Sequence, residues 1–581
     1  MTRWFVLALL VAAATAARAG AIYPIDRATI LAGSRFDFKV EFDASSSPSD
    51  VKVSVNGADY AQALGGKPAF VERENGKDGS AITIRNVSLA KPGRYAVEAT
   101  DGKQILRATW EVYGTGPRRA KNVILFIGDG MTMANRTAAR ILSKGIREGK
   151  YYGELSFDDM PHMALIGTSG VDSIVTDSAN SMSAYTTGHK SSVNALGVYA
   201  ARNSNNFEHP KVETIAELIR RRTKMAVGVV SDAEVQDATP AGVVAHTRRR
   251  SDKAEITEMF FMSRVDVLMG GGSAYFLPQG TPGSKRKDSN NFIELFKRDG
   301  YAYATTDREM KDAAAGAGTK KLLGLFHPEN MDGALDRRVL KQGTVPKFPE
   351  QPDVADMTRA AIQVLSRSPD GFFLMVEAAL IDKFNHPLDW ERAVYDTIML
   401  SNAVQVAKDF AAKRNDTLII VTPDHTHGLA IVGTVDDKKS GADMREKVGT
   451  YAEAGYPNYP APDKDGYPPS VDVSKRLAIF FADFPDYYET YRPKLDGPFE
   501  PAMKDATGKQ YVANEKYKSD TSQLRGGNLP RSSDVGVHSA DDAVLTAMGP
   551  GSEKFRGFMD NTEVFRVMVD TLGLAPTPRA R

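Results

Sequence analysis

The stretch Asn122-Val-Ile-Leu-Phe-Ile-Gly-Asp-Gly-Met131 (NVILFIGDGM) runs through five consecutive large apolar residues and then turns polar and glycine-rich at Gly128-Asp129-Gly130. A continuous apolar run of this length predicts a strand buried on both faces, as in a parallel sheet, rather than a half-exposed strand that alternates. Residues 225–230 (MAVGVV), 372–376 (FFLMV) and 418–421 (LIIV) repeat the pattern. Residues 212–222 read as a helix leading into the first of these repeats, and Val564, Met568 and Leu572 share one helical face, with Gly573 as C-cap and Pro576 beyond it. Strands alternating with helices predict an α/β domain, a three-layer α/β/α sandwich around a mostly parallel central sheet.

Upstream the rhythm differs. Phe36, Phe38, Val40 and Phe42 alternate with Asp37, Lys39 and Glu41, and Leu106, Ala108, Trp110 and Val112 alternate with Arg107, Thr109 and Glu111. With turn signals at Asn56-Gly57, Pro92-Gly93 and Asp101-Gly102, this predicts a small all-β sandwich over residues 20–115, and residues 91–97 (KPGRYAV) resemble a late strand of immunoglobulin-like domains. Residues 114–117 (GTGP) read as a linker, and residues 116–581 as the catalytic-size domain. Two stretches fit the α/β rhythm poorly, residues 275–350 and the Pro- and Tyr-rich residues 435–530; both read as insertions at the domain's rim. Residues 1–19 carry Arg3, an apolar run over 4–14 and small residues ending at Ala19, the pattern of a signal peptide, which predicts a periplasmic or secreted protein. No later stretch is long and apolar enough to span a membrane. The formal charge of +1 gives no reason to expect nucleic acid as a partner, and the absence of cysteine means that no disulfide holds the fold.

Three of the predicted strands end in metal-capable side chains. Residues 122–127 lead to Asp129; residues 372–376 lead to Glu377 and then Asp382, Lys383 and His386; residues 418–421 lead to Asp424, His425 and His427. Ligands of open α/β sheets bind at the carboxyl ends of strands, so these groups are expected to meet in one crevice. A lone Asp after a strand commonly caps a helix, and a lone His is commonly a hydrogen-bonded core residue. Here, however, three of nine histidines fall directly behind two such strands. Carboxylates mixed with imidazoles suit zinc, and carboxylate, hydroxyl and water suit magnesium. In Thr176-Asp177-Ser178-Ala179 a turn enters a helix, so Asp177 or Ser178 caps it, or the Ser178 hydroxyl sits where the helix end favours an anion.

Six motifs occur in one order: NVILFIGDGM at 122–131, TDSA at 176–179, QDATP at 236–240, GFFLMVE at 371–377, IDKFNH at 381–386 and VTPDHTH at 421–427. The set resembles the alkaline phosphatases, metal-dependent phosphomonoesterases with a serine nucleophile, over roughly residues 120–581 apart from the two insertions. Position by position, the resemblance implies that Ser178 attacks phosphorus and becomes a phosphoserine. It implies one zinc held by Asp129, Asp424 and His425, and a second held by Asp382, His386 and His538. It further implies a magnesium held by Asp129, Thr239 and Glu377, with Asp237 near its water shell and Lys383 beside it. Arg250, last of three consecutive arginines, matches the phosphate-clamping arginine, and His427 orients a ligand carboxylate. The implied activity is hydrolysis of phosphate monoesters with release of inorganic phosphate. Competing readings are a phosphodiesterase or sulfate-ester hydrolase on the same scaffold, and a surface-binding protein carrying a relic phosphatase domain. A homodimer is left open.

Overall fold

The computed structural model describes residues 20–76 and 78–575, so the signal-peptide segment and Pro576 lie outside the described residues. The chain divides into two compact units: the described residues through Tyr113 together with Ala201–Lys211, and Gly114–Ala200 together with the residues from Val212 on.

The larger unit is built on one ten-stranded mixed sheet. In chain order its strands are β1 (Asn122–Gly128), β2 (His162–Gly167), β3 (Ala226–Glu234), β4 (Val267–Gly271), β5 (Ala302–Ala304), β6 (Leu322–Leu325), β7 (Phe372–Ala378), β8 (Thr417–Thr422), β9 (Ala543–Met548) and β10 (Arg556–Asp560). Their spatial order is β5-β6-β4-β3-β7-β1-β8-β9-β2-β10. Every neighbouring pair is parallel except those of β9, which runs against both β8 and β2.

The apolar run of β1 is buried throughout. Ile124 and Phe126 join a core with Ala138 and Leu142 of the helix Met133–Lys144, Ala361 and Leu365 of the helix Val354–Leu365, and Val394 and Ile398 of the helix Trp390–Ala411. Val123, Leu125 and Ile127 are equally buried and, by the two-residue period of a strand, face the opposite layer. Both faces of the sheet are therefore covered, which is why the strands carry no alternation.

Register then aligns the strand ends. Ile127 of β1 pairs with Glu377 of β7 and with Thr422 of β8, and Glu377 pairs in turn with Ser231 of β3. Side chains following these positions emerge together at one end of the sheet. Because β9 runs the other way, the residues preceding it arrive at that same end, and His538–Ser539 pairs with Thr426–His427.

Two expectations need adjustment. Residues 275–350 are not all rim, since β5 and β6 lie within them and form one edge of the central sheet. These strands have only three and four residues, too few to display a period. Most of residues 435–530 does stand outside the central sheet, in a three-stranded sheet with Leu429–Asp436 and two small two-stranded pairings. The helix read over 212–222 begins at Ile215, where Thr214 and Glu217 form a capping box.

The smaller unit holds a four-stranded sheet (Ala21–Tyr23, Phe36–Glu41, Ala81–Val87, Ala69–Val71) and a five-stranded one (Thr29–Leu31, Ile105–Tyr113, Gly93–Thr100, Lys52–Val55, Ala58–Asp59). Trp110 of the second sheet packs edge-on against Phe36 and Phe38 of the first. Asp37, Lys39 and Glu41, which the alternation assigns to solvent, are buried. The reason is the Ala201–Lys211 segment. Asp37 exchanges hydrogen bonds with Lys211, Lys39 Nζ is 2.7 Å from Glu41 and 2.6 Å from Glu74, and Arg202 reaches Glu74 at 3.1 Å.

Candidate active site

Ser178 opens the wholly buried helix Ser178–Thr187. The cap is Asp177: its carboxylate accepts from the Ala179 N–H, and the Asn180 side-chain oxygen accepts from the Asp177 N–H at 2.9 Å. With capping assigned to its neighbour, the Ser178 hydroxyl is left for other partners, and its Oγ lies 3.2 Å from His425 Nε2. The positive end of the helix favours negative charge on that oxygen.

Around it, two donor groups assemble. Asp129, Asp424 and His425 form the first, with His425 Nε2 3.2 Å from Asp129 Oδ1 and 3.5 Å from Asp424 Oδ2. The second is Asp382, His386, His427 and His538, whose imidazole Nε2 atoms lie 3.3, 2.7 and 3.4 Å from Asp382 Oδ1. His386 and His538 each bond through Nδ1 to a backbone carbonyl, of Gly536 and Thr176 respectively, at 2.8 Å. Donation from Nδ1 places the lone pair of the neutral ring on Nε2, beside Asp382, where a cation between the two groups could take both as ligands; metal-ligating histidines are held in this way. His427 reaches Asp382 at hydrogen-bond distance, which fits an orienting contact to that carboxylate.

Oxygen donors lie on the other side of Asp129. Thr239 Oγ1 is 3.5 Å from Asp129 Oδ2, and Glu377 accepts a hydrogen bond from Ser231 Oγ. Asp237 joins the cations: Arg250 Nη2 is 2.6 Å from its Oδ1 and Lys383 Nζ is 3.0 Å from its Oδ2. Arg250 also stands 3.7 Å from Asp177, and Lys383 3.7 Å from Asp382. Of the three consecutive arginines, Arg250 faces this crevice, whereas Arg248 donates to the Val193 carbonyl.

Charge in this crevice is unevenly balanced. Burial alone would raise Asp237, but Lys383 and Arg250 hold it well below the usual carboxylate range. Burial, and then the neighbouring Asp129, push Glu377 and Asp424 well above it. Asp129 Oδ1 and Asp424 Oδ2 are buried and accept no hydrogen bond from the described residues. Buried carboxylate oxygens crowded together without donors are costly unless a cation meets them. Their chemistry fits metal ions: oxygen with imidazole for zinc, oxygen alone for magnesium.

All thirteen site residues singled out in the sequence thus lie in one neighbourhood of contacts at one end of the sheet. Sequence reasoning missed Ser231, the partner of Glu377, although a hydroxyl directly behind a buried strand was the available signal. The cap it left between Asp177 and Ser178 is Asp177; it missed that this carboxylate also faces Arg250, and that the carbonyls of Thr176 and Gly536 orient two imidazoles.

Sheet and crevice together define the class: an α/β protein with a buried serine beside metal-capable donor groups. The family profile described as "Alkaline phosphatase" matches residues 120–574. The chain is similar to the alkaline phosphatase of Escherichia fergusonii, 34% identical over 390 residues, which is 61% of this chain and 78% of that protein. It is also similar to alkaline phosphatase 3 of Bacillus subtilis, 28% identical over 479 residues, 76% of this chain and 87% of that protein. Among solved structures, the alkaline phosphatase of Thermus thermophilus shares the fold with a TM-score of 0.55 at 21% identity, covering 79% of this chain and 93% of that one. The chain belongs to the alkaline phosphatase family and is a phosphoric monoester hydrolase.

Proposed function

We propose that the protein hydrolyses phosphate monoesters through a covalent phosphoserine on Ser178. The observation that carries this reading is the position of Ser178 Oγ, buried at a helix N-terminus, 3.2 Å from His425 and in the same crevice as Arg250. The Ser178 hydroxyl gives up its proton and Oγ attacks phosphorus, the bond between phosphorus and the ester oxygen breaks, and that oxygen takes up a proton from water so that the alcohol leaves. A water then attacks phosphorus, the bond to Oγ breaks, and inorganic phosphate departs with Ser178 restored.

Asp129, Asp424 and His425 would hold one zinc, Asp382, His386 and His538 another, and Asp129, Thr239 and Glu377 a magnesium. When bound, these ions supply positive charge that lowers the pKa of hydroxyl groups and stabilises the leaving oxygen. Arg250 presents a guanidinium to two phosphoryl oxygens, and its contacts with Asp177 and Asp237 keep it in place. His427 orients Asp382, and Lys383 balances Asp237. Thus a chain with formal charge of +1 meets a dianionic substrate through local charge.

We read the smaller unit as an immunoglobulin-like sandwich and the protein as exported to the periplasm or secreted, the latter on the strength of residues 1–19. The test of the chemistry pairs metal analysis of purified protein with hydrolysis of a monoester and a diester, before and after chelation. Zinc and magnesium are expected to copurify, and chelation is expected to remove monoester turnover, while Ser178→Ala lowers it by about a thousandfold or more. Full monoester turnover in Ser178→Ala would dismiss the covalent route, and faster turnover of the diester would reassign the substrate.

A further inference from the structure

Away from the catalytic crevice, an open cleft of about 790 Å3 is lined by the helix Met133–Lys144, by residues 150–158 and by β2 and β9. At its floor is Arg136, only 3% exposed, its guanidinium 4.5 Å from the centre of the Phe157 ring. Nη2 reaches the Phe157 carbonyl and Thr546 Oγ1 only at 3.4 Å, and the buried Nε donates to no described residue. Nη1 also bonds no described residue and, unlike Nε, is not sealed from solvent. Arg136 forms no ion pair among the described residues. The nearest acid is already committed, because Arg140 Nε and Nη2 hold the two oxygens of Asp158 at 2.7 and 3.0 Å. Glu154, the other acid lining the cleft, is exposed and is offset by exposed Lys150.

Burial pushes the Arg136 guanidinium down to about 10, so it remains a cation at neutral pH. Asp158 offsets part of this charge, but its two oxygens are held by Arg140. A buried cation that only shares a counter-charge is destabilising, and its planar fork of donors is shaped for two oxygens of one anion. Above it the mouth is apolar, with Met133, Tyr152 and Met163 more than half exposed. Two arginines share the one carboxylate of Asp158, and the single charge in excess selects a monoanion, while the apolar mouth selects what the anion is attached to.

We infer that this cleft binds a small carboxylate carried on an apolar or aromatic body, its carboxylate on Arg136 and its body against Met133, Tyr152 and Met163. Benzoate is a suitable probe, and binding is read by calorimetry on the purified full chain. Saturable one-to-one binding is expected, weakened about tenfold or more in Arg136→Met, as for loss of hydrogen bonds to a charged group. Met163→Glu alters only the exposed rim and places a like charge at the mouth, so it is expected to weaken binding as well, even if Arg136→Met fails to fold. Arg250→Met is expected to leave benzoate binding unchanged, which separates this cleft from the catalytic crevice. The absence of saturable binding, binding that survives Met163→Glu, or loss of binding in Arg250→Met would overturn the inference.

Discussion

Asp177 and Ser178 are adjacent and polar, yet their tasks are divided by where their side chains point. Asp177 turns back to the helix N–H groups and toward Arg250, while Ser178 turns to His425. In Asp177→Ala the helix loses its cap, so stability is expected to fall by about 1 kcal/mol in urea denaturation, and turnover is expected to drop because Arg250 loses a partner. Arg250→Ala removes the phosphoryl clamp itself, and about a hundredfold loss in kcat/KM for monoesters is expected. A change within twofold would take Arg250 out of contact with phosphate. Asp129, Glu377, Asp382, His386, Asp424 and His425 were legible because they lie at or just behind buried strands and have few chemical substitutes, whereas Thr239 and His538 were found only through the family resemblance. Ser231 was not, because a serine behind a strand has many ordinary uses and its meaning comes only from the register that sets it beside Glu377.

At the scale of elements, the helix Ser178–Thr187 is buried on all sides and closes at Gly188 in the left-handed region, φ 74°. His189, 5% exposed, follows directly, its Nδ1 2.7 Å from the Tyr199 hydroxyl. Burial pushes its pKa down to about 4, whereas the unfolded chain takes the proton near the ordinary 6.5. The unfolded state therefore binds the proton first as pH falls. Stability contributed by neutral His189 is complete above about pH 6.5 and is lost between there and about pH 4, by up to about 1.4 kcal/mol per pH unit. His189→Gln is expected to flatten this part of the stability profile, measured as urea midpoints at pH 7 and pH 5. An identical slope in both proteins would show that His189 is not the titrating group. The long apolar strands were legible for a physical reason: burial on both faces demands an unbroken run. β5 and β6 were not, since three or four residues at a sheet edge carry too little pattern to separate them from a loop.

For the whole molecule, the unexpected boundary is Ala201–Lys211, a run rich in Asn and charged residues that lies within the sequence of the larger unit but belongs to the smaller one. Its anchors are Asp37, Glu74 and Arg85, the last 2.8 Å from Glu208. A chain lacking residues 20–113 keeps this segment but loses every one of those partners. Rapid cleavage within 201–211 in limited proteolysis is expected of that truncated chain and not of the full one; equal resistance would show that the segment holds itself. The reversed strand β9 has a different consequence, one of timing. By turning against its neighbours it delivers His538 to a crevice whose other residues were all laid down by residue 427. A ribosome must therefore add 111 residues beyond His427 to reach His538 before that crevice can close. Fragments released early carry the serine but lack the last imidazole, so the order of synthesis itself withholds the finished site until His538 has been added.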